Sequence, residues 1–187
     1  SWLPENTAER ATAVNLEDLS AQQAAVAVWL GRKYKVAPEP LAALVSEAWA
    51  LGERSQIAPT LILAVMAIES RFNPFASGHL GGLGLMQIEP EAHVGALSPF
   101  GGRLAAFDPL TNLRVGTRML QGLIQETNTM EDALRLYSLA SGQLNNDTYV
   151  DRVLAEQKLL DNISQGAQTA SSDKKDTTLT KSHPSHM

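Results

Sequence analysis

The sequence predicts a single all-α domain, and three observations predict it. Ala, Leu, Gln and Glu recur through segments of helical spacing, no segment sustains the period-two alternation of a strand, and Pro and Gly fall between segments as stops. With 187 residues, 44% of them hydrophobic, the chain can bury one sizeable core but hardly two. The expected organisation is a polar N-terminal segment over 1–19, one folded domain over 20–163 and a flexible polar tail over 164–187.

The elements follow in order. Ser20 and Gln23 have capping-box spacing ahead of Val26, Trp29 and Leu30, which predicts a helix up to about Tyr34. Pro40 at a first-turn position opens a second helix, whose Leu41, Leu44, Val45, Ala48 and Trp49 form one apolar stripe. A third starts near Pro59 and runs through Leu61-Ile62-Leu63-Ala64-Val65-Met66-Ala67-Ile68 to end at Glu69-Ser70. It is apolar on every side, so it should lie surrounded by the others.

A Gly-rich stretch from Gly78 to Gly84 follows, then Leu85-Met86-Gln87-Ile88 and a short helix from Pro90 through Val94. Pro99 to Gly102 reads as a turn. Asp108-Pro109 leads into a helix carrying Leu113, Gly116, Met119, Leu120 and Leu123, in which Gly116 marks a tight contact. Thr129 and Asp132 start the next helix through Tyr137, and Asp147 caps a last one that ends near Ile163. From Ser164 onward there is too little apolar surface to offset the entropy of ordering.

Composition excludes several function classes. A net charge of -5, with Lys and Arg scattered, leaves no basic footprint for nucleic acid. No Cys and only four His, of which His183 and His186 fall in the tail, argue against a metal centre or other cofactor, and these residues hold no disulfide, Cys nucleophile or lipid-bearing thiol. No apolar run reaches the length of a membrane span. The start, Ser1-Trp2-Leu3-Pro4, has neither initiator Met nor signal-peptide pattern and reads as a processed or truncated product.

One residue does not suit its position. Ile62, Val65, Met66 and Glu69 share a helical face, so a carboxylate stands in series with side chains that must be buried. Desolvation and the negative end of the helix dipole both disfavour its ionised form and raise its pKa. A carboxylic acid held protonated near neutral pH is what glycosidic cleavage requires, because the leaving oxygen is poor until it receives a proton. A Glu closing an apolar helix is also simply where a helix meets water, so position alone does not assign it.

Glu69-Ser70-Arg71-Phe72-Asn73-Pro74-Phe75-Ala76, followed by Gly81-Gly82-Leu83-Gly84-Leu85-Met86-Gln87, resembles the signature of the Slt-type (family 1) lytic transglycosylases. Asp108-Pro109 with Asn112-Leu113 and Gly116 resembles that family's second motif, Ala133-Leu134 through Tyr137 its third, and Tyr149-Val150 its fourth. The resemblance covers roughly residues 57 to 155. It implies a lysozyme-like α domain with a glycan groove, Glu69 as catalytic acid/base, and a substrate-binding set of Ser70, Ser77, Gly78, Gly84, Met86, Gln87, Tyr137, Ser138 and Tyr149. In that set Gln87 and Tyr137 would stand near the cleaved sugar, and Met86 and Tyr149 would line the groove. The family's Ser nine positions after the catalytic Glu is here Gly78, with Ser77 adjacent, and the Asn after the motif Tyr is here Ser138. The segment from Glu91 to Ala106 matches no motif.

The chemistry so implied is a substrate-assisted cleavage of peptidoglycan that consumes no water and leaves 1,6-anhydro ends. Two-carboxylate glycosidases need a partner acid, and the candidates are poor: Asp108 reads as a cap, and Glu89 and Glu91 flank Pro90 as a helix start would. Leu85, Met86 and Ile88 are expected as an apolar wall that keeps water out. A lysozyme-type muramidase and a silent glycan-binding module of a cell-wall complex, with a machinery partner, remain the alternatives. The periplasmic or otherwise extracytoplasmic location is inferred from the substrate.

Overall fold

The structure, a computed structural model, describes residues 15–180, so His183, His186 and the first residues of the chain lie outside it. Seven α-helices carry the described fold: α1 (Ala21–Tyr34), α2 (Pro38–Ser55), α3 (Pro59–Ser70), the single turn α4 (Val94–Leu97), α5 (Pro109–Glu126), α6 (Met130–Ser141) and α7 (Asn146–Thr180). Among the described residues, extended structure is confined to the isolated bridges Ser77 to Leu83 and Leu83 to Ile88. The architecture is the expected all-α one.

Most helix starts obey the local signals. The Ser20 side chain accepts from the Gln23 amide, Asp108 from Thr111 and Thr129 from Asp132, each satisfying a backbone donor that a first turn leaves free. Two starts differ from expectation. The second helix begins at Pro38 rather than Pro40, because Pro38 can itself occupy the first position, where no backbone donor is needed. The last helix is capped by Asn145, whose Oδ1 accepts from the Thr148 amide at 3.1 Å. Asp147 instead lies inside the first turn and pairs with Arg135 at 3.1 Å.

Helix α3 is the centre of the molecule. Every residue from Leu61 to Ala67 is buried, covered by α2 and α7, which pack on it directly. Helices α1 and α7 close one side, and α2, α5, α6 and α7 follow as successive neighbours. Leu16 and Leu19, within the segment expected to be a polar lead, rest against the same core.

The end of α7 departs from the expected stop near Ile163. The helix continues to Thr180, while the last side chain that packs against the core is Ile163. Sequence composition therefore marks where core contact stops rather than where backbone hydrogen bonding stops. A polar helix beyond a packed one can propagate without a new nucleation step.

Gly116 on α5 makes the close contact its spacing suggested. A Cβ there would stand 2.5 Å from Met86 Sδ and 2.7 Å from Met86 Cβ, so the loop after α3 can seat only against a residue without a side chain. Met86 in turn presents its carbonyl to the Tyr137 hydroxyl at 2.7 Å, which ties the loop to α6. Replacing Gly116 with Val should lower stability by about 1–3 kcal/mol through overpacking, read as a reduced urea midpoint at unchanged slope.

Candidate active site

The site is built on the last turn of α3. Glu69 is 8% exposed, and the chain leaves it through two consecutive left-handed residues, Arg71 (φ 52°) and Phe72 (φ 62°). Such conformations are uncommon for residues with side chains and persist where the surroundings enforce them. Here the Arg71 amide closes α3 on the Ala67 carbonyl, and Phe72 is buried against the Tyr34 ring at 5.3 Å. The chain therefore turns away at once and leaves the Glu69 carboxylate facing an open cavity of about 340 Å³.

Both carboxylate oxygens are held. Oε1 accepts from Gln143 Nε2 at 2.6 Å and Oε2 from the Tyr149 hydroxyl at 3.3 Å. Burial pushes the Glu69 pKa up from 4.5 to about 7, and hydrogen bonds from Ser141, Gln143 and Tyr149 limit the rise. The Ser141 hydroxyl has the Ser138 carbonyl, at 3.3 Å, as its other partner. Tyr137 and Tyr149 are both held well above the usual phenol range, first by burial and then by the Glu69 charge, so they remain neutral donors. Among the described residues Glu69 is the only Asp or Glu on the cavity wall.

The opposite wall is the Gly-rich loop. Asn112, fully buried on α5, fixes it with three bonds: its Oδ1 accepts from the Met86 amide at 2.7 Å, and its Nδ2 donates to the carbonyls of Leu83 at 2.8 Å and Ala106 at 2.7 Å. Gly84 (φ 75°) lies so close that a Cβ would stand 2.4 Å from both Asn112 Nδ2 and the Ala106 carbonyl. Gln87, left-handed at φ 52°, is locked by Nε2 donating to the carbonyls of Ala76 at 3.1 Å and Gly84 at 3.0 Å. Its Oε1 occupies the space beside Gly78, where a Cβ would approach it to 2.6 Å. Gly78 and the Gln87 carboxamide are thus fitted to each other, and a Ser at position 78 would force one of them to move.

Of the residues expected in the site, Glu69, Ser77, Gly78, Gln87 and Tyr149 meet around the cavity. The others lie behind it. Met86 is fully buried with Leu85 and Ile88, so these three form packed core beneath the loop rather than a wall open to substrate. Tyr137 is also fully buried and bonded to the Met86 carbonyl. Gly84 supports the loop from inside. The Ser70 hydroxyl bonds back to the Met66 carbonyl at 3.0 Å. The Ser138 hydroxyl has the Arg135 carbonyl at 2.8 Å and Asn146 Oδ1 at 2.7 Å as partners. Ser138 thereby joins α6 to α7 and does not line the cavity.

Sequence reasoning missed Gln143, Ser141, Thr148 and Arg152, which line the same cavity. The junction Gly142 to Asn145 carried one usable signal. Gly142 ends α6 in the left-handed conformation (φ 84°), and a Gly followed by polar residues between two helices marks a connection that can reach a site. Among the described residues, no group of three or more His, Cys, Asp or Glu is placed to hold a metal ion, and no helix is long and apolar enough to cross a membrane.

Comparison with known proteins gives a consistent family. A family model described as the transglycosylase SLT domain matches residues 48–160. A membrane-bound lytic murein transglycosylase C of Glaesserella parasuis serovar 5 (strain SH0165) is 30% identical over 118 residues, which is 59% of this chain and 32% of that protein. The protein of the same name from Actinobacillus pleuropneumoniae serotype 5b (strain L20) is 35% identical over 82 residues, 41% of this chain and 22% of its own length. The chain thus spans a third or less of these relatives. No solved structure matches it.

Burial of Glu69 has a measurable sign. The unfolded carboxyl ionises near 4.5 and the folded one near 7, so the folded state binds the extra proton between those values and loses stability as pH rises through them. At about 1.4 kcal/mol for each tenfold change in proton affinity, the loss is about 3 kcal/mol. Glu69→Gln imitates the neutral acid. It should match wild type below pH 4.5 and exceed it by about 3 kcal/mol above pH 7, measured by chemical unfolding across that range.

Proposed function

The chain belongs to the transglycosylase SLT family, and from that premise we propose that it is a peptidoglycan lytic transglycosylase. It cleaves the β-1,4 bond from N-acetylmuramic acid to N-acetylglucosamine without consuming water. One observation carries the reading: a lone carboxyl, raised to about 7, faces an open cavity with no second carboxylate on its wall. A site with one acid fits a reaction in which the substrate supplies both the stabilising group and the nucleophile. The names of the similar proteins point to the same substrate.

In the first step Glu69 gives its proton to the glycosidic oxygen as the bond to the anomeric carbon breaks. The acetamido oxygen of the muramoyl sugar shares the positive charge left on that carbon. Glu69, now a carboxylate, is stabilised by Gln143 Nε2 and the Tyr149 hydroxyl. It then takes the proton of the same sugar's 6-hydroxyl, whose oxygen bonds to the anomeric carbon and closes a 1,6-anhydro ring. The proton count balances and Glu69 ends protonated, as it began. Holding the 6-hydroxyl in place lets it outcompete water. The substrate puts this work outside the cytoplasmic membrane.

Digestion of purified sacculi, followed by mass spectrometry of the released muropeptides, tests the proposal. The expected products carry 1,6-anhydro ends. Reducing ends would instead make the protein a hydrolase, and release of nothing despite co-sedimentation with sacculi would make it a binding module. Glu69→Gln should lower the rate by about 10²–10⁴-fold. The wild-type kcat/KM should fall about tenfold per pH unit above 7, because only the protonated acid starts the reaction.

A further inference from the structure

The wall of the Glu69 cavity carries a cation that bond cleavage does not use. Helix α7 sets Tyr149 against Glu69 and, three residues on and so on the same face, places Arg152 on the cavity wall. Arg152 is exposed. The carboxylate one turn further along, Glu156, is already taken by Lys33 Nζ at 2.7 Å and the Tyr34 hydroxyl at 2.6 Å. Asp147 on the preceding turn is taken by Arg135. Among the described residues Arg152 therefore has no carboxylate partner.

A second guanidinium stands nearby. The left-handed turn at the end of α3 lays Arg71 over the Tyr34 ring, with Cζ 5.1 Å from the centroid. Burial and the Glu156 carboxylate push the Tyr34 phenol up, and Arg71 and Arg152 both lie near enough to oppose that rise. Arg152 is thus the guanidinium on the cavity wall, while Arg71 packs on the Tyr34 ring outside the lining. An incoming carboxylate offers Arg152 paired acceptors that suit the planar guanidinium fork.

We propose that Arg152 forms a carboxylate-binding subsite beside Glu69 that selects muramoyl strands over neutral glycans. The proposal rests on the transglycosylase reading above. The carboxylate comes either from the lactyl group of peptide-free strands or from the stem peptide, and the two sources are separable.

Binding is measured by calorimetry on the full chain in a Glu69→Gln background, which prevents turnover. The probes are three tetrasaccharides: muramoyl with free lactyl groups, muramoyl with peptide stems, and neutral chitotetraose. Adding Arg152→Gln should weaken one or both of the carboxylate-bearing probes about tenfold and flatten their salt dependence. It should leave chitotetraose within twofold, and Arg152→Lys should recover part of the loss. The probe that loses affinity identifies the source. Equal weakening of all three, or no change in any, overturns the subsite. If the Glu69→Gln protein binds none of the three before any Arg152 change, the transglycosylase reading falls and takes the subsite with it. Unchanged thermal unfolding of the Arg152 variants, which alter an exposed side chain, separates lost contact from lost fold.

Discussion

Everything in the site depends on keeping one carboxyl out of water while leaving it open to a ligand. Glu69 lies in the last turn of a helix whose residues from Leu61 to Ala67 are all core, so the packing that stabilises α3 also desolvates the acid. A buried carboxylate left without donors would be excluded by the fold. Gln143 and Tyr149 prevent that, and both are neutral, so they make the ionised form tolerable without fixing the group in it. An Arg or Lys in place of either would lower the pKa and remove the proton that the proposed chemistry spends first.

The donors and the facing wall belong to one mechanical unit. Asn112 holds the loop through three carbonyl and amide contacts, and Gly116 admits Met86. The Met86 carbonyl receives the Tyr137 hydroxyl, and the Ser138 hydroxyl joins α6 to the start of α7. That start is where Tyr149 and Arg152 leave the helix toward the cavity. Residues off the cavity wall therefore set the distances among those that line it. Met86, Tyr137 and Gly84, expected among the substrate-binding residues, lie behind the cavity wall in this arrangement.

The parts legible in the sequence are those governed by neighbours along the chain. Helix caps at Ser20, Asp108 and Thr129 are local hydrogen-bonding choices, and the run from Leu61 to Ile68 declares a buried helix by composition. Glu69 stood out because its helical position contradicted its charge. Less legible were features set by contacts between distant segments. Whether Met86 faces cavity or core depends on Gly116, thirty residues later, and whether Asn145 or Asp147 caps α7 depends on Arg135 claiming the aspartate. Gln143 gave no periodic signal because it lies in a short connection. The long extension of α7 was hidden because composition reports burial, and its final turns are helical without being buried.

Burial raises the Glu69 carboxyl to about 7, so that it still carries its proton near neutral pH. A carbon-13 NMR titration of the Glu side-chain carboxyl signals, with the Glu69 resonance assigned by its loss in Glu69→Gln, reads that protonation state at the residue itself. A midpoint near 7 is expected for that signal. A midpoint at the ordinary 4.5 would contradict it, since the carboxyl would then be ionised at the outset and could not donate the first proton.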